Sequence, residues 1–102
     1  MATPHTMTWT NPTTNTDGTP YLQADNAGYE LAIDSQPAVS IPLAYGTSFD
    51  LNALNAFADL KSGLHTIALR VVSKQGVASD FSAPLTFPVV GTPMAPTNLA
   101  LV

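Results

Sequence analysis

A chain of 102 residues with 45% hydrophobic side chains has enough apolar material for one domain core and no room for a second folded unit. Three basic residues against seven acidic ones give a net charge of −4, which repels a phosphate backbone and excludes nucleic-acid binding. Cysteine is absent, so disulfides, thiolate metal sites and thiol redox chemistry are excluded, and no apolar run reaches the ~20 residues of a membrane-spanning helix.

Short alternating segments separated by turn chemistry run along the chain. Residues 1–9 offer neither the basic segment nor the apolar stretch of a secretory signal. Met7 and Trp9 alternate with Thr6, Thr8 and Thr10 as a first strand, and the proline- and glycine-bearing stretch 11–20 follows as a loop. Tyr29, Leu31 and Ile33 alternate with Glu30, Ala32 and Asp34 as the next strand. Residues 39–43 are apolar around Pro42, which places them at a sheet edge, where a missing amide donor costs nothing. Phe49 and Leu51 flank Asp50.

The period then changes. Leu51, Leu54, Phe57 and Leu60 recur every third residue among alanines, so residues 52–59 are expected to make one or two helical turns ending before Gly63. His65, Ile67, Leu69 and Val71 line one face of a long strand. Leu85, Phe87 and Val89 line the last, which Pro88 places at an edge. One apolar and one polar face per strand is the pattern of antiparallel sheets packed on one side, and short strands at this spacing predict an all-β sandwich with one short helical turn. Its expected core is Trp9, Tyr29, Leu31, Ile33, Phe49, Leu51, Ile67, Leu69, Val71, Leu85 and Phe87. Residues 1–90 form this unit; residues 91–102 are a Pro/Gly spacer followed by a strand or tail.

The residues at 6–20 and 28–34, with a tryptophan strand, a proline-and-Asp-Gly loop and GYELAID, resemble the second and third strands of fibronectin type III and related bacterial immunoglobulin-like domains. The stretch 60–79 is similar to that family's F strand and following hairpin, and 79–89 to its last strand. The resemblance covers about residues 6–90 and implies an immunoglobulin-like antiparallel sandwich; it does not by itself imply a task. The position of the family's corner tyrosine carries His65, and the chain starts almost directly at the second strand.

No constellation for catalysis stands out. There is no G-x-S-x-G elbow, P-loop or cysteine nucleophile. Glu30 and Asp34 sit about 13 Å apart along a strand, too far to share a glycosidic bond, so they are expected to be surface acids and the chain no enzyme. His5 and His65 lack metal-ligand spacing. Asp17, Asp25, Asp34, Asp50 and Asp59 fall near loops without the D-x-D-x-D-G order that calcium would want, so no cofactor is expected. Trp9 is a core residue, with sugar stacking as the alternative, and Trp9→Ala is expected to cost roughly 3–5 kcal/mol.

A binding or structural domain remains. A charge-poor surface rich in Thr, Ser, Asn and Ala suits packing among many neighbours, where unpaired charges would be costly. The first expectation is therefore a virion protein assembled in a host cytoplasm: a phage capsid decoration or tail-associated protein. It would bind a major capsid protein, a tail protein or copies of itself through apolar and main-chain contacts. The alternative is a spacer or carbohydrate-binding module of a secreted bacterial adhesin or polysaccharide hydrolase. A sandwich beginning at its second strand leaves a sheet edge open. Thr97, Asn98, Leu99, Ala100, Leu101 and Val102 alternate as a strand that could be added to such an edge, its own or a neighbour's, or else remain a tail.

Overall fold

The computed structural model describes residues 5–101. Six strands form two antiparallel sheets, an all-β sandwich. The short sheet pairs β1 (Thr6–Thr8) with β4 (Ser48–Asp50), and the larger has the order β3-β2-β5-β6, from β2 (Asn26–Ile33), β3 (Val39–Ile41), β5 (Gly63–Ser73) and β6 (Leu85–Val89). Between β4 and β5 a 3-10 turn at Leu51–Ala53 runs into α1 (Asn55–Ala58). It starts one residue before the expected stretch, because the Asp50 carboxylate accepts the Asn52 amide and caps the turn.

β5 is the spine of the larger sheet. Glu30, Leu31, Ala32 and Ile33 of β2 face Arg70, Leu69, Ala68 and Ile67 on one side, and Phe87 and Leu85 face His65 and Ile67 on the other. Both expected edges are real: β3 ends just before Pro42, and Pro88 lies in the outermost strand. The alternation places Tyr29, Leu31, Ile33 and Ile67 in the core with Met7, Ile41, Leu51 and Phe57. Phe57 stacks on Phe87 with ring centroids 5.6 Å apart, which seats the helical turn across one end of the sandwich.

Trp9, Phe49, Leu69, Val71 and Phe87 are only half-buried, packed against that core from its margins. Leu85 corrects the expected core outright, because it is 60% exposed. It opens β6 opposite Ile67, and the two-stranded sheet is too narrow to reach over it.

Candidate partner-binding site at the open sheet edge

A cluster of polar side chains fixes where β1 leaves the sandwich. Trp9 packs edge-on against Tyr29, with centroids 4.9 Å apart, and its indole Nε1 donates to Asn11 Oδ1 at 2.9 Å. The Tyr29 hydroxyl lies 2.6 Å from the same oxygen and 3.0 Å from the Gly46 carbonyl, and accepts from the Gly46 amide at 3.2 Å. Asn11 Nδ2 donates to the Gly46 carbonyl at 2.9 Å. Nearby, buried Asn26 donates to the Ala44 carbonyl at 2.7 Å and accepts from Tyr21. The loop at 44–46 is thereby tied to β2 and to the segment that follows β1, and no buried side-chain polar atom of the described residues lacks a partner.

The main chain of β1 divides its bonding in two directions. The His5 carbonyl and the Trp9 amide bond to Leu51 and Thr47 on the β4 side, so by antiparallel alternation Met7 faces β4 as well. Thr6, Thr8 and Thr10 therefore turn their amides and carbonyls the other way, toward an edge that no described strand covers.

Beside that edge runs a groove of about 480 Å³. Met7, Trp9, Ile67, Leu69, Phe81 and Leu85 supply its apolar lining. Its far wall, residues 79–83, is laced to β5 by two serines. Ser79 Oγ accepts from the Val71 amide and Ser82 Oγ from the Leu69 amide, each at 3.1 Å, while the amides of Ser79 and Ser82 bond to the carbonyls of Val71 and Leu69. Arg70 is held by Glu30, with Nε to Oε1 at 2.8 Å, and lies 4.5 Å over the Phe81 ring. The charged residues of the lining are two, Arg70, which Glu30 balances, and Asp80.

Of the acids considered as metal ligands, Asp17, Asp25, Asp34 and Asp50 are scattered and engaged locally. Asp17 is held below the usual carboxylate range, chiefly by the Thr19 hydroxyl, and Asp25 accepts the Leu22 amide. Asp50 is lowered by the Asn52 amide, and lies 2.8 Å from His5. Asp34, at a left-handed φ of 53°, is lowered chiefly by its hydrogen bond to His65 and also by the Thr66 amide. His65 is raised above the usual imidazole value by Asp34 first and then by the Lys61 carbonyl, one at each ring nitrogen. Among the described residues no three His, Asp or Glu side chains gather as a metal site.

Residues 97–101 form no strand and pair with neither sheet; Val102 lies outside the described residues. Leu99 and Leu101 are 96% and 100% exposed. The cluster of Asn11, Asn26 and Tyr29, and the lacing by Ser79 and Ser82, escaped sequence reasoning, because their partners are main-chain groups distant in sequence. Among the described residues no helix is long and apolar enough to cross a membrane. In comparison with known proteins, no family model, no curated protein and no solved structure matches this chain.

Proposed function

We propose that the chain is a non-catalytic structural protein that joins a larger assembly through apolar and main-chain contacts, with a phage particle, as capsid decoration or tail-associated protein, as its setting. The open β1 edge beside an apolar, charge-poor groove carries this reading. Such a surface holds a neighbour by burying apolar area and completing a ladder, without ion pairs. Glu30 and Asp34, the paired acids of the sequence, are taken up by Arg70 and His65, which supports structural roles for both.

The immunoglobulin-like reading is supported by strand order. Immunoglobulin sandwiches place strands B and E in one sheet and C, F and G in the other. β1 and β4 in the short sheet, with β2, β5 and β6 in the larger, correspond to that division, with no strand A among the described residues.

The test is mass spectrometry of purified particles produced from the genome that encodes the chain. It should be found in many copies per particle and should stay bound through a high-salt wash, because contacts of this kind are hardly screened. Its absence from particles, or release by salt, would refute the reading. A glycan-array signal abolished by Trp9→Ala would instead favour a carbohydrate-binding module, since half-exposed Trp9 lines the groove.

A further inference from the structure

We infer that the open edge of β1 is completed by residues 97–101 of a second copy of this chain, so that each copy donates a strand and accepts one. This deepens the assembly reading by naming the occupant of its binding edge.

Three observations carry it. The acceptor is unfinished in a specific way: Thr6, Thr8 and Thr10 direct main-chain groups outward, while Met7 and Trp9 direct side chains into the groove beside them. The donor has matching chemistry. Residues 91–101 carry no charge, and alternation places Leu99 and Leu101 on one face when the segment is extended. Both leucines stand in solvent, where a lone apolar segment gains nothing. Asn98 now has a left-handed φ of 57°, and its move to an extended value on docking is one that asparagine makes readily.

Direction decides between its own groove and a neighbour's. Residues 7–10 lie beside 67–71 in the groove, and 12–16 lie beside 71–73 farther along, so β1 and the chain after it advance in the same sense as β5. β6 is antiparallel to β5, hence to β1, and ends at Val89 opposite Gly63, beyond the Leu85 end of the groove. The tail leaves the sandwich heading away from its own groove. To fill it, the segment would have to reverse and lie parallel to β1, the weaker pairing. A tail from another copy can enter antiparallel. Residues 91–101 are exposed throughout and belong to no strand, in a molecule 76 Å long and 20 Å across.

One strand buries well under the ~1,200 Å² of a stable protein pair, so the association is weak and concentration-dependent. Because donor and acceptor surfaces differ, it is head-to-tail and grows into chains unless the rotation closes a ring.

Sedimentation velocity on the purified full chain, from micromolar to near-millimolar, tests this apart from any particle, so the two readings can fail separately. The average mass should rise with concentration, and the emission of Trp9, the chain's one tryptophan, should shift in parallel. Leu99→Asp with Leu101→Asp should weaken association by about tenfold for each leucine. Thr8→Pro removes an outward amide and leaves the β4 ladder intact, so it should cripple acceptance alone. Mixed together, the proline variant as donor and the aspartate variant as acceptor should form dimers and nothing larger. Should Thr8→Pro not fold, the aspartate variant alone decides. A monomer throughout the series, or association untouched by the two aspartates, would overturn the inference. So would Trp9 emission that depends on the leucines but not on concentration, which would place the tail on its own edge.

Discussion

At Tyr29 a single buried hydroxyl lies within hydrogen-bond reach of Asn11 and of both main-chain groups of Gly46, in a side chain only 2% exposed. Tyr29→Phe should therefore lower stability by about 1–3 kcal/mol, since the loop groups lose a partner inside the sandwich; chemical denaturation measures it. Trp9→Ala should cost less than a fully enclosed tryptophan would, about 2–3 kcal/mol, because one face of the indole already meets the open groove. His65 and Asp34 give the molecule a pH signature. The folded chain holds the His65 proton more tightly than the unfolded one, so its contribution is complete below the ordinary imidazole pKa. That contribution is lost as the pH climbs through the raised value. Asp34 is lowered, so its contribution is present above the ordinary carboxylate pKa and is lost as the pH falls through the lowered one. Melting temperature should thus peak between these limits, and His65→Gln should flatten the alkaline limb. Trp9, Tyr29 and Ile67 were legible as inward-facing residues because alternation needs only the strand itself. Asn11 and Asn26 were not, because an asparagine in a turn-rich stretch reads as turn chemistry, and the carbonyls of Ala44 and Gly46 that they bind are fixed only by the assembled fold.

Among the elements, β5 was the most legible, since eleven residues of strand leave the alternation little ambiguity. Pro42 and Pro88 marked the edges for a simple reason: a residue without an amide proton is cheap only where no neighbour needs it. Leu85 misled because periodicity tells which way a side chain points and not whether a second sheet lies opposite. The lacing of residues 79–83 had no signal either, as serine before a final strand looks like ordinary loop composition. It has a measurable effect all the same. Ser79→Ala and Ser82→Ala should each cost about 1 kcal/mol. Amide exchange should quicken specifically at Val71 in the first variant and at Leu69 in the second, with Ile67 unchanged.

For the molecule as a whole, the radius of gyration of 18.2 Å exceeds the ~13 Å of a compact chain of this length. Residues 91–101, exposed and outside both sheets, contribute to the excess. Truncation after Val90 should bring the radius measured by small-angle scattering toward that compact value at high dilution. The same truncation should leave the melting temperature nearly unchanged, since the core lies elsewhere. The attachment of this segment also sets how the sandwich answers to force. A pull along residues 91–101 reaches the ladder at the Val89–Gly63 pair, then Pro88–Leu64, then Phe87–His65, one rung after another. Loading of this kind peels a strand instead of shearing it, so the final strand should come away under a small, steady tension. The β2–β5 pairing behind it is loaded only once β6 has gone.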